Sequence, residues 1–374
     1  MGGVRALVTG GAGFIGANLA AALLIWIFVR SQSLTHLVTA TKFAEYALLA
    51  VSLPLILRQR RQWEVVAAVV VAWSVVATFV GLLQIFGLGI ADAWAAGRRQ
   101  PSFLGHSDFA ALSAFALGIG LAAVLRGRRA AGWVGVVSGV LGLMLAGATA
   151  GLIGTAAGAV GLLYTISRAR RLELRDFVVT GGAVGLVAAG VLTLRAGDFE
   201  HFLRFLHLKG KETQNANIET YSQHTLLAYI GYRIWRAHPV AGAGWQSSTE
   251  PATVDPQLPA ARRKFPNVSP LAFPTRKHEW GVQNAYVQAA SDLGTIGVVL
   301  WLLPFLLALV LALRAHAPPC GVATFTILAA MGVWVGQGLV AGIPLDAVMW
   351  LGFGLAAIAG NQRTSSEAQE QWAA

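Results

Sequence analysis

The sequence predicts an all-α polytopic membrane protein of about ten transmembrane helices with one large extracytoplasmic loop. Three observations carry this. Of its 374 residues, 56% are hydrophobic and 12% charged, with a mean hydropathy of +0.61; soluble domains carry about 25% charge. Apolar runs long enough to cross a hydrocarbon core of about 30 Å recur along the chain. Short arginine-rich segments stand between them.

The chain opens with VRALVTGGAGFIGANLAAALL, in which Gly10, Gly13 and Gly16 are spaced as a phosphate-binding turn. This stretch resembles the opening of the sugar-nucleotide epimerases. A dinucleotide fold needs a second strand and an acidic residue about 20 positions on. Here the chain runs into LLIWIFVR, and its first acidic residue is Glu45. Residues 7–29 therefore read as a first membrane helix rich in small residues. Residues 1–30 form an atypical N-terminal unit.

Residues 31–194 supply further spans at 34–57, 65–90, 109–125, 133–146, 151–166 and 177–194. Lys42 and Glu45 lie three residues apart in the first of these, as an ion pair within the helix or as groups facing a bundle interior. A large loop occupies 195–283. Residues 284–360 return to the membrane at 285–313, 322–341 and 347–360, and 361–374 form a polar cytoplasmic tail.

Charge orients the chain. The segments 58–62, 126–130, 167–175 and 314–319 hold three, three, four and one arginines. The short segments on the other side hold Arg30, Arg98 and Arg99. Short basic loops stay cytoplasmic, which places the large loop outside the cytoplasmic membrane. The net charge of +11 thus reads as membrane orientation, with no nucleic acid as partner. The single cysteine, Cys320, excludes an internal disulfide and a multi-cysteine metal site.

The polar stretch 221–297 is the candidate site. It holds His224, Arg233, Arg236, His238, His278, Asn284 and Asp292. Two blocks stand out, RIWRAHPVAGAGWQSS and QNAYVQAASDLGTIG. Together they resemble the O-antigen ligase and polymerase superfamily of bacterial membrane glycosyltransferases. His238, Pro239, Gly242 and Gly244 match that family's turn in the outer loop. Asn284, Asp292, Gly294 and Gly297 match its second block. GRRQPSFLGHSDFAALSAFAL (97–117) is similar to a weaker family block.

The resemblance implies a multi-pass protein of the bacterial cytoplasmic membrane. It would move a glycan from a polyprenyl-pyrophosphate carrier to a glycan, lipid or protein acceptor, with the bilayer as its other partner. The lipid pyrophosphate carries the leaving-group energy, so neither cofactor nor metal is expected. Two positions depart from the pattern. Gln283 stands where the family has His, and His224 where it often has Arg. The resemblance implies that one of the two serves acid–base chemistry and the other holds the pyrophosphate. Gln cannot act as a general base. His carries only partial charge at neutral pH. His278 is a candidate to supply the missing imidazole.

Each residue also has a plainer reading. Arg233 and Arg236, at i and i+3, share one helical face, to grip a phosphate or to anchor at lipid headgroups. His238 before proline reads as a turn residue, and Gly242 and Gly244 as the glycines of a tight turn. Asn284 stands where a span begins, so helix capping competes with substrate contact. Arg98, Arg99 and His106 are candidates for lipid phosphate or ordinary anchors. Trp235, Trp245 and Trp280 suit an interfacial belt or sugar stacking. The alternative function is a non-catalytic lipid or polysaccharide transporter or binding protein, which the two departures support.

Overall fold

A computed structural model describes residues 18–57, 60–89, 99–125, 129–169, 171–196, 220–275 and 280–314, and parts of 328–354. All regular structure among the described residues is helical. In chain order these helices are α1 (Asn18–Val29), α2 (Leu34–Ile56), α3 (Arg60–Ile85), α4 (His106–Leu125), α5 (Arg129–Ala146), α6 (Thr149–Ala169) and α7 (Leu174–Leu194). The loop contributes α8 (Thr220–Ala237), α9 (Pro251–Val254) and α10 (Leu258–Lys264), and α11 (Ala285–Arg314) follows. Among the described residues, four segments are long and apolar enough to cross a membrane: Glu64–Ile85, His106–Leu125, Leu174–Leu194 and Ala285–Val310. Asn18–Val29, Ala130–Ala146 and Thr149–Tyr164 are shorter apolar helices. The chain is therefore an all-helical protein with several helices suited to a membrane. Gly10, Gly13, Gly16, Arg98, His278 and most of 322–341 and 347–360 lie outside the described residues.

Local chemistry fixes the helix starts. Ser33 caps α2 by accepting from the His36 N–H at 3.2 Å. Glu173 and Asp176 form a reciprocal capping box at α7, with the Glu173 N–H donating to Asp176 Oδ2 at 2.9 Å. Small residues then decide how the helices meet. A Cβ on Gly132 would lie 2.7 Å from the Val124 nitrogen, and one on Gly139 2.6 Å from that of Leu117. Backbones of α4 and α5 therefore touch along a glycine seam, the close approach that dispersion-driven packing in lipid favours. Beside them, Gln84 of α3 clamps the segment before α4. Its Nε2 donates to the Ser102 carbonyl at 3.0 Å, and the Ser102 N–H returns to its Oε1 at 2.9 Å. Phe109, Leu117, Leu121 and Leu143 fill the core of this bundle.

A second core joins α1, α2 and α11 around Phe43, Trp245, Trp301 and Trp350. The outer loop builds a third of its own, from Leu226, Leu227, Ile230 and Ile234 of α8 with Val254, Ala261 and Phe273. Arg262 stacks over the Phe273 ring at 5.5 Å. The loop is thus a folded unit, and α8 is the side of it that packs on α11.

Candidate functional site

α11 is broken at Gly294, whose φ of 70° and ψ of −173° belong to a region essentially restricted to glycine. A break strands backbone groups, and in an apolar setting each must find another partner. The turn after α8 supplies them. The N–H groups of Thr295 and Ile296 donate to the carbonyls of Pro239 (2.9 Å) and Val240 (3.3 Å). In return, Ala243 and Gly244 donate to the carbonyls of Ser291 (2.8 Å) and Asp292 (2.9 Å). The Leu293 carbonyl accepts from Trp26 Nε1 at 3.0 Å.

The two halves could not approach this closely with side chains in the way. A Cβ on Gly242 would lie 2.5 Å from the Gly294 nitrogen, and Gly242 itself has φ +71°. The turn glycines and the helix glycine are thus one device, built from two sequence blocks.

Asp292 locks the device from inside. Its side chain is fully buried. It accepts from the N–H groups of Gln246 (3.1 Å) and Ser248 (3.0 Å) and from Gln288 Nε2 (3.2 Å). Gln246 stands in the left-handed region, φ 62°, at the turn whose Gln246 and Ser248 N–H groups meet the carboxyl group, while the Ser247 N–H between them turns back to the Gly244 carbonyl. Gln288 also accepts from the Ile343 N–H at 2.7 Å, tying the node to the C-terminal part of the chain.

From the other side, the α1–α2 connection grips the same turn. Arg30 Nη2 donates to the Gly242 carbonyl and Gln32 Nε2 to that of Ala243, both at 2.9 Å. The Arg30 carbonyl accepts from the Trp245 N–H at 2.9 Å. Trp245 is buried, and its Nε1 donates to Thr39 Oγ1 at 2.9 Å, so it is a core residue.

His224 and Gln283, the two positions that depart from the family pattern, lie together. The His224 ring faces the Gln283 backbone carbonyl, while its Nδ1 is buried without a hydrogen-bond partner. Burial holds the imidazole below its ordinary pKa, and the bond to Gln283 opposes this in part. Burial thereby favours the neutral ring, whose Nδ1 is covered and unpartnered. Gly231, on the same side of α8, sets the spacing: a Cβ there would lie 2.7 Å from Val282 Cγ2 and 2.8 Å from Val287 Cγ1.

The other candidates divide. Asn284 caps α11, its Oδ1 accepting from the Val287 N–H at 3.0 Å and its Nδ2 donating to the Leu339 carbonyl at 3.2 Å. His238 is exposed, and its carbonyl accepts from the Gly242 N–H at 3.0 Å as part of the turn. Arg233 and Arg236 do different things. Arg233 is half-buried, with Nε donating to Gln257 Oε1 at 3.0 Å, and Arg236 is exposed in the last turn of α8. At about 100° per residue, Arg233 projects from the side of α8 opposite His224. Among the described residues, no three His, Cys, Asp or Glu side chains group closely enough to hold a metal ion.

Sequence reasoning missed Trp26, Arg30, Gln32, Gln246, Ser248 and Gln288. Only Gln288 carried a usable signal, being one turn before Asp292 on the same helix. No family model and no curated protein matches the sequence.

Proposed function

We propose that the chain is an O-antigen ligase-like glycosyltransferase, acting on the outer face of a bacterial cytoplasmic membrane. It has about ten spans, and residues 195–283 form the outer loop that carries the site. The observation that carries the reading is the contact of His224 with Gln283. The positions that the resemblance assigns to acid–base chemistry and to pyrophosphate are neighbours, although they come from different segments. The neutral ring favours His224 for the acid–base part. Once substrate binding uncovers the buried Nδ1, an acceptor hydroxyl would give its proton to it while its oxygen bonds the anomeric carbon of the donor sugar. The sugar–phosphate bond would break, and the polyprenyl pyrophosphate would leave with the electron pair. The Gln283 amide would donate to phosphate or hydroxyl. Arg236, open at the end of α8, is the freer of the two arginines to meet the pyrophosphate, since Gln257 engages Arg233.

A second reading, a non-catalytic lipid or polysaccharide transporter or binding protein, draws on the broken α11 and on Gln283. Broken helices mark transporter sites, but here the stranded groups are met by the protein itself.

The test uses a deletion strain complemented with wild type, His224→Ala, Arg236→Ala or Gln283→His. Surface polysaccharide and lipid-linked intermediates are read by mass spectrometry. The transferase reading expects intermediates to accumulate in the deletion and in His224→Ala. Loss of one charge-assisted bond, about 1.5–3 kcal/mol, makes Arg236→Ala roughly ten- to hundred-fold slower. A deletion that leaves polysaccharide and intermediates unchanged rules the reading out.

A further inference from the structure

We infer that the membrane surface runs through the break in α11, so that only residues 295–314 cross the bilayer. Ala285 to Leu293 would then belong to the cap outside it. The C-terminal edge of α8, with Tyr232, Trp235, Arg236 and His238, rests at the depth of the lipid headgroups.

Length and composition agree on where the crossing begins. At about 1.5 Å per residue, residues 295–314 reach about 30 Å, the thickness of a hydrocarbon core. Their only hydroxyl-bearing or charged side chains are Thr295 and Arg314, one at each end. The segment before the break is different in kind. It carries Gln288, Ser291 and Asp292, all buried within protein. Starting the span at Ala285 would put this polar node inside the hydrocarbon, where such groups are expensive.

The surface outside the helix changes character at the same level. Leu306, Val299 and Ile296 are exposed at 56%, 51% and 41%, a lipid-facing strip along the second half of α11. The strip continues onto Val240, exposed at 62%, whose carbonyl accepts from the Ile296 N–H. There it meets an aromatic pair, Tyr232 and Trp235, with ring centroids 5.9 Å apart. Trp235 Nε1 donates to Thr295 Oγ1 at 3.4 Å, which fixes that ring at the first residue of the crossing. Exposed Arg236 and His238 follow. Amphipathic aromatics with a basic residue beside them are the composition of a headgroup belt. This placement depends neither on the proposed reaction nor on which face of the membrane the loop occupies.

Spin-label depth measurements test it. The full chain, with Cys320→Ser removing its one cysteine, is reconstituted in vesicles of phosphatidylcholine and phosphatidylglycerol. Single labels are placed at the exposed positions Tyr232→Cys, Val240→Cys, Ile296→Cys, Val299→Cys and Leu306→Cys. Relative accessibility to oxygen and to a water-soluble nickel chelate reports depth. Tyr232 and Val240 are expected at the phosphate level, Ile296 just beneath it, and Leu306 about 15 Å deeper along the helix, near the bilayer centre. If Ile296 and Val299 report the centre, with Leu306 shallower again, the crossing starts at Ala285 and the inference fails. Labels at Tyr232 and Val240 that behave as in bulk water would also overturn it.

Discussion

Gly242 and Gly294 lie back to back, so close that a Cβ on Gly294 would stand 2.5 Å from the Gly242 nitrogen and against the Val240 carbonyl. Their neighbours exchange backbone hydrogen bonds in both directions. The turn and the broken helix therefore stabilise each other, and neither conformation makes sense alone.

Gly294→Ala is expected to be the most damaging of the glycine substitutions here. It forces a side chain into a glycine-only backbone region, at about 1–3 kcal/mol, and drives a methyl group into backbone atoms. Gly242→Ala should come close to it. Gly244→Ala should cost less, because its Cβ meets mainly the side chain of Gln32, at 2.7 Å, which can move. Thermal unfolding of the purified protein in nanodiscs measures the order. Gly244→Ala as the worst of the three would refute the back-to-back packing.

Asp292→Asn keeps the size of the side chain and turns one acceptor into a donor. That donor then faces N–H groups of Gln246 or Ser248 and Nε2 of Gln288. Losing one hydrogen bond to the carboxylate costs about 1.5–3 kcal/mol. A midpoint shift of several degrees is the expected readout. An unchanged midpoint would show that the node contributes nothing to stability.

His224 makes stability depend on pH. Its folded pKa is lowered by burial, with the Gln283 carbonyl opposing. The unfolded chain, near the ordinary value of about 6.5, takes up the proton first as pH falls. The contribution is complete above that value and is lost as pH falls through the lowered folded pKa. His224→Gln removes it. Melting at about pH 8 and about pH 5 should show a larger acid loss for wild type than for the variant. Equal losses would contradict a neutral, buried ring.

The periodic and compositional parts of the fold were legible. Apolar runs expected at 109–125, 133–146, 151–166 and 177–194 correspond to α4 through α7, whose observed ends fall within a few residues. The first motif block was recognisable as a glycine turn, and capping was one of the two readings of Asn284. The break at Gly294 was not legible. It lies in an apolar run in which glycine looks like one more small residue, and only a partner from elsewhere makes a break tolerable. The same holds for Arg30, read from its loop as an orientation charge, and for Trp26. Nothing local tells that their donors reach carbonyls more than 200 positions away. Arg233 and Arg236 stand three residues apart on one helix, as their spacing implied; that Arg233 meets Gln257 could not be read from that spacing.

The grip of the α1–α2 connection also has a bearing on the order of assembly. Arg30 and Trp26 bond to groups 212 and 267 residues further along the chain. At about 5–20 residues per second of synthesis, the Leu293 carbonyl follows Trp26 by roughly ten to fifty seconds. Throughout that interval the first two helices lack the strand of chain they are shaped to hold. Their final seating is therefore a late, post-insertion event, and it closes the beginning of the chain onto its last third. A truncated product ending before residue 242 would leave the Trp26, Arg30 and Gln32 donors without these acceptors, a form that quality-control proteases could distinguish from the finished protein.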